Sequence, residues 1–256
     1  MDKQMRFAIF TRSLLLQACW SFEGMQNLGF LMSLDPWLRR VYPEPAEYRA
    51  AVLRHLGYFN THPYMAGIVL GVVGSMEERR SAMIGEERKN YEQRIEQMKK
   101  SLSAALAAIG DSFFWGALKP ACAAWTILLW LFLWTQRVPH PLFWGAVFYL
   151  AAYNIPALWT RWRGIGLGYG QPDKIVPALE GLRWHSKALW IRRAGLAAAV
   201  LAFAGLLLVP PLGGAAGWPG VIVFAVALGL RATGIACTVT YAAVVVAGGL
   251  GVLVGF

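Results

Sequence analysis

Apolar and polar positions in this chain fall into long blocks, with little of the short alternation expected of strands. Residues 138–160, 194–230 and 232–256 contain no charged side chain. Runs of that length reach or exceed the roughly 20 apolar residues that carry a helix across a bilayer. Two shorter apolar stretches precede them. Pro63 to Met76 is uncharged but only fourteen residues long, too short to cross. Residues 101–118 are interrupted by Gly110-Asp111-Ser112. The pattern predicts an all-α integral membrane protein with an amphipathic N-terminal helix, re-entrant half-helices and about four membrane-spanning helices.

Taken in order, residues 1–34 read as an interfacial helix in which Trp20, Phe22, Met25, Leu28 and Phe30 sit among Glu23, Gln26 and Asn27. Residues 35–53 hold three prolines and mixed charge, an extramembrane connection. The turn Asn60-Thr61-His62-Pro63 opens into the fourteen-residue run. Asn or Thr as N-cap and Pro in the first turn predict a helix start there. Residues 77–100 carry 13 charges in 24 positions with alternating sign, a solvated helix and a candidate docking surface. Spans are expected at about 116–136, 140–160, 194–209 and 232–256, with 220–230 a further half-helix or part of a kinked span. Residues 161–193 hold seven Lys/Arg against two acids and are expected as a cytoplasmic loop. The uncharged loop after Pro210-Pro211 then lies outside, and the glycines of 248–255 point to close helix packing. The division implied is a core at 1–120 and a transmembrane region at 121–256.

Composition strengthens the membrane reading: 57% of residues are hydrophobic and only 15% charged. The net charge of +10 reads as topology. Nucleic-acid binding is not expected, because the basic residues are not gathered on a soluble domain. Arg12 splits the first apolar stretch, so no cleavable signal peptide is expected. Cys19, Cys122 and Cys237 are scattered in apolar contexts, without metal or disulfide spacing. No P-loop, nucleotide-binding glycine motif or hydrolase signature is present, and the four histidines do not cluster. No cofactor, metal site or catalytic residue is expected.

Two short, Gly/Pro-interrupted hydrophobic segments around a polar connector mark a transporter site built from broken helices. The helix mouth at Asn60 and Thr61 is a place to hold a small polar solute. Glu23 and Gln26, three apart, share one face, which lies either on the membrane surface or toward a cavity. Asp111 and Ser112 either cap a new helix or form a gate. Trp20 and Trp115 belong either to the membrane interface or against a sugar face.

Four blocks carry a resemblance to a known family: TRSLLLQACWSFEGMQNLGF at 11–30, RHLGYFNTHPYMAGIVLGVVGSMEE at 54–78, LAAIGDSFFWGALKP at 106–120 and WRGIGLGYG at 162–170. In this order they resemble the IID component of the mannose/fructose/sorbose-family phosphotransferase system. The resemblance implies a subunit of the bacterial inner membrane that pairs with a IIC protein, in a trimer of IIC–IID pairs. Such a unit conducts a hexose while soluble IIA and IIB units phosphorylate it. It implies no catalytic role for this chain, and sugar contacts through Glu23, Gln26, Asn60 and Thr61. A hexose presents hydroxyls that both donate and accept, which carboxylate and amide groups satisfy. The chain departs from the family at 103–108, where alanines stand for glycines and a proline, at Gly24, where an Arg is common, and in the short connection after the third hydrophobic stretch. These departures motivate an alternative reading, a non-transporting IID-like docking or regulatory protein.

Overall fold

The computed structural model describes residues 1–208, with side chains described as far as 205. The expectations for 210–256, including the outer loop, the half-helix at 220–230, the last span and Cys237, lie outside the described residues. Among those described there are nine α-helices, one π-helical segment, one short 3-10 turn and no strand.

The N-terminal stretch is two helices with a folded loop between them. Helix α1 (Lys3–Ser13) starts where the Asp2 carboxylate accepts the Met5 N–H at 2.7 Å. Helix α2 (Asn27–Val41) is the amphipathic one, burying Phe30, Leu34, Trp37 and Leu38. Helix α3 (Pro45–His55) begins with proline in its first turn, where no N–H partner is needed.

The fourteen-residue apolar run is the centre of the core. Helix α4 (Ala66–Ser81) is buried at every residue from Ala66 to Glu77. A helix apolar on all faces must be surrounded, and α1, α2 and α5 pack around it. It begins later than expected: Met65 and Ala66 N–H both donate to the His62 carbonyl, and Asn60 and Thr61 stay outside the helix.

Helix α5 (Gly85–Gly110) returns antiparallel to α4, so that Arg80 pairs with Glu92 at one end while Thr61 reaches Ser103 at the other. The break expected at Gly110-Asp111-Ser112 does not occur. The chain passes through a π-helical winding (Asp111–Leu118) into α6 (Lys119–Thr135), giving one uninterrupted helix from Gly85 to Thr135. Asp111 and Ser112 therefore cap no new helix.

Helix α7 (Pro141–Gly170) runs past the expected end of its span and takes in Arg161 and Arg163. The cytoplasmic connection expected at 161–193 shrinks accordingly. It holds the 3-10 turn Pro172–Lys174 and α8 (Ile175–Gly181) before α9 (Trp184–Leu208). The reason is that Arg161 is buried and donates to the Ser13 carbonyl, so its charge does not mark a loop. Three helical stretches, Gly85–Thr135, Pro141–Gly170 and Pro172–Gly205, are long and apolar enough to cross a membrane. Large apolar side chains such as Phe132, Leu142, Trp144, Ile155 and Leu196 stand exposed on them, as lipid contact requires.

Two compact units are present. The first comprises Met1–Cys122 and Val147–Gly195 and contains every feature described below. The second, among the described residues, holds Ala123–Ala146 and 196–208; within it Gly145 faces the Thr126 side chain and Gly205 faces Leu131.

Candidate functional site

The turn Phe59-Asn60-Thr61-His62 is sewn to the loop between α1 and α2. Gln26 N–H donates to the Phe59 carbonyl at 2.8 Å, and Phe59 N–H donates to the Gly24 carbonyl at 3.3 Å. The Gln26 side-chain amide closes the seam: Nε2 donates to the Thr61 carbonyl at 2.9 Å and Oε1 accepts the Thr61 N–H at 3.1 Å. An amide is the group that satisfies one donor and one acceptor together. Met25 sits at φ 54°, an uncommon left-handed conformation for a non-glycine residue, and its backbone bridges both Ser21 and Phe59. Below the seam, Phe59 packs on Phe30 with ring centroids 4.2 Å apart.

This arrangement divides the four expected sugar contacts. Gln26 and Thr61 are brought together and buried, and the Thr61 hydroxyl donates to the Ser103 carbonyl at 2.9 Å. Glu23 and Asn60 are exposed. Met25 and Phe59 pair in parallel, so Glu23 precedes the paired stretch and Asn60 follows it, one exposed polar side chain on each of the two segments the seam joins. Trp20 and Phe22, on the same loop, are exposed and touch edge to face at 4.9 Å.

His62 is the buried end of the turn. Its ring stacks on Phe114 at 5.1 Å and 15° and lies 4.9 Å from the half-exposed Trp115. Nδ1 accepts the Tyr64 N–H at 3.3 Å, which places the proton of the neutral ring on Nε2; that atom is buried and has no hydrogen-bond partner among the described residues. The surface receiving His62 is Gly110, where any Cβ would overlap the imidazole. The FNTHP and GDSFFWG blocks are thus two sides of one contact. π-winding shifts backbone carbonyls out of the regular helical ladder. Here the Arg192 guanidinium, from α9, donates to the carbonyls of Ser112 and Gly116 and to the Ser112 hydroxyl, at 3.1–3.2 Å. Of the two gate candidates, Ser112 is held by this clamp and Asp111 is exposed at the head of the π-segment.

The far end of α4 is anchored by a buried carboxylate. Glu77 accepts from the Tyr42 hydroxyl at 2.6 Å, from Arg54 at 2.8 Å and from His55 Nε2–H at 3.0 Å. Burial alone would raise its pKa. His55 and Arg54 outweigh that and hold it at about 2, so Glu77 is ionised. Burial lowers the pKa of His55 and keeps the ring neutral, donating through Nε2–H. Burial and the adjacent Glu77 charge push the Tyr42 phenol well above its ordinary range. A buried charge with three partners fixes position, because removing any partner leaves it uncompensated.

The sequence reading missed the contact between α4 and α7. Gly67 and Gly71 face the carbonyls of Arg161 and Ile165, while Gly164 and Gly168 face Ile68, so two four-residue glycine spacings interlock backbone to backbone. The signal was present in AGIVLG and GIGLG. The Glu77 cluster had no such signal, since its members come from three elements. No group of His, Cys, Asp and Glu able to hold a metal occurs among the described residues. The arrangement offers hydrogen bonding and apolar contact to a neutral polar ligand.

Residues 1–190 match the family model described as "PTS system mannose/fructose/sorbose family IID component". The chain is 37% identical over 174 residues to the "PTS system mannose-specific EIID component" of Escherichia coli K12, covering 68% of this chain and 57% of that protein. It is 32% identical to the "Fructose permease IID component" of Bacillus subtilis, covering 72% and 62%. The match therefore spans less than two thirds of these relatives' length. Among solved structures, the chain is similar to one in a complex of the mannose transporter ManYZ with microcin E492 (TM-score 0.58, 31% identity, 79% of this chain and 70% of that one). Another, described only as a membrane protein, aligns with TM-score 0.73 at 27% identity over 100% and 98%.

Proposed function

Because the chain belongs to the mannose/fructose/sorbose-family IID components of the phosphotransferase system, we propose that it is the IID subunit of a sugar permease. In this reading it pairs with a IIC protein in the bacterial inner membrane, as a multi-pass subunit of a trimer of such pairs, and binds and passes a hexose. Soluble IIA and IIB units phosphorylate the sugar, and this chain contributes no catalytic group. Burial of His55 and His62 inside the helical core supports placing phosphoryl transfer on other subunits.

One observation carries the sugar assignment: the Gln26–Thr61 seam fixes the two segments that carry Glu23 and Asn60 and seals its own backbone groups, which leaves these two polar side chains exposed. Glu23 accepts from sugar hydroxyls, Asn60 both donates and accepts, and the exposed Trp20 offers a face to the apolar side of a pyranose. Gln26 and Thr61 take the supporting role. Asp111, exposed on the π-segment beside the His62 contact, is assigned as the gate residue, with Ser112 held by Arg192.

The test is uptake and phosphorylation of mannose, fructose and sorbose in cells co-expressing the chain with its IIC, IIB and IIA partners. Glu23→Ala and Asn60→Ala are expected to lower uptake by about tenfold or more, the loss of a hydrogen bond to substrate. Both should leave thermal stability unchanged. Unaltered uptake in both variants would sink the sugar assignment and favour the docking reading.

A further inference from the structure

A cavity of about 570 Å³ opens where α1, the C-terminal half of α7 and the start of α9 meet, entirely within the first unit. Three cations line it, Arg6, Arg163 and Lys187, and no acidic side chain does. None of the three belongs to an ion pair among the described residues. Arg6 is built into place: Nε and Nη2 donate to the Trp162 carbonyl at 3.1 and 2.6 Å, and the guanidinium lies 4.2 Å from the Trp162 ring. Gly166 provides its seat, since a Cβ there would come within 3.0–3.2 Å of the guanidinium. Arg163 lies 5.3 Å from the Trp159 ring and Lys187 5.8 Å from the Trp184 ring.

Gathering like charges without a counter-ion costs free energy, and the strain is visible. Burial, with the Arg163 charge beside it, holds the Arg6 guanidinium below its ordinary pKa. An anion entering the cavity would relieve it. The surroundings identify the kind of anion. Trp159 is 60% exposed, and Ile155 one turn earlier on α7 is 66% exposed. An apolar face thus continues from the cavity along a membrane-length helix. The last turns of α7 and the first turns of α9 carry Arg161, Arg163, Lys187, Arg192 and Arg193 and no acidic residue, which places this end at the cytoplasmic leaflet, whose surface is negative.

We propose that this cavity is a binding site for an anionic phospholipid. The phosphodiester sits among Arg6, Arg163 and Lys187, and the acyl chains follow Trp159 and Ile155 along α7. A zwitterionic lipid would bring its ammonium against three cations with no carboxylate to receive it. The site rests on the membrane reading alone, so it stands or falls independently of the sugar assignment.

The test is native mass spectrometry of the purified full-length chain, equilibrated with matched amounts of phosphatidylglycerol and phosphatidylcholine at fixed ionic strength. Wild type is expected to retain phosphatidylglycerol preferentially. Arg163→Gln/Lys187→Gln removes two exposed cations and should reduce that preference by about tenfold or more. Arg163→Lys should keep most of it, and Lys89→Gln, outside the cavity, all of it. Equal retention of both lipids by wild type, or an undiminished preference in the double variant with unchanged thermal stability, overturns the proposal. So does displacement of the lipid by low-millimolar inorganic phosphate, which would assign the cations to a soluble phosphate.

Discussion

Gly110 and His62 are in direct contact: the imidazole lies where a side chain on residue 110 would begin. The contact joins the turn before α4 to the π-segment after α5, and it explains why a glycine stands at the junction. Gly110→Ala is expected to expel His62 from its stack on Phe114, lowering stability by about 1–3 kcal/mol as overpacked cores do. Gly116→Ala is the comparison. Its methyl would meet chiefly the far end of the Arg192 side chain, at 3.1 Å, which need give only a few tenths of an ångström and so keeps its bonds to Ser112 and Gly116. Thermal unfolding in detergent should separate the two; equal midpoints would refute the contact.

Gln26 and Thr61 satisfy each other through two hydrogen bonds in a buried setting. Gln26→Leu keeps the bulk but strands a buried N–H and a buried carbonyl, at about 1–3 kcal/mol. Gln26→Glu should be no better, because it sets a carboxylate oxygen against the Thr61 carbonyl. Glu23→Gln, at an exposed position, should fall within about 0.5 kcal/mol of wild type. If Gln26→Leu were as stable as Glu23→Gln, the seam would not be a structural element.

Much of this was legible in the sequence and some was not, for physical reasons. Charge-free length revealed the membrane helices, since crossing a bilayer leaves few other compositions. Short apolar length was ambiguous: 63–76 satisfies a half-span and a buried core helix equally, and neighbours decide it. Gly110-Asp111-Ser112 looked like a break because Gly and Asp weaken α-helices, yet a π-winding accommodates them once Arg192 receives the displaced carbonyls. Arg161 looked like loop charge because its buried acceptor, the Ser13 carbonyl, lies 148 residues away in sequence. For the site, residue type pointed to Glu23, Gln26, Asn60 and Thr61 alike, and only burial separated the supporting pair from the exposed one.

The Glu77 cluster makes stability depend on pH on both sides of neutrality. His55 has a folded pKa below its ordinary 6.5, so as pH falls below 6.5 the unfolded chain takes up a proton that the folded one refuses, and stability drops. Glu77 titrates near 4.5 when unfolded and at about 2 when folded. Its contribution is full above 4.5 and is lost as pH falls from there toward 2. Tyr42 works in the opposite sense: its folded pKa is raised above 10.0, so the unfolded state ionises first and stability falls as pH rises past 10.0. Unfolding midpoints should descend below about 6.5, through the His55 and then the Glu77 transition, and the Tyr42 transition should lower them past 10.0. His55→Gln should remove the descent that begins at 6.5 and leave the one below 4.5. A single descent unaffected by His55→Gln would contradict the neutral assignment of this ring.

The interlock of α4 and α7 gives the sharpest steric prediction. At Gly168 a methyl would overlap the Ile68 carbonyl oxygen and come within 2.8 Å of the Val72 amide nitrogen. Both are backbone atoms of α4, which is enclosed by other helices and cannot retreat. Gly168→Ala gains about 1 kcal/mol of helix propensity and still should lose net stability, because separating the helices opens the packed face from Gly67 to Gly71. Gly170, two residues on in the same helix, has nothing within 4 Å of its would-be Cβ. Gly170→Ala should be neutral or stabilising. The pair differs in one helix by the presence of a facing backbone, so thermal midpoints that move in opposite directions measure the close approach itself. A Gly168→Ala protein as stable as Gly170→Ala would mean that α4 and α7 do not meet at their glycines.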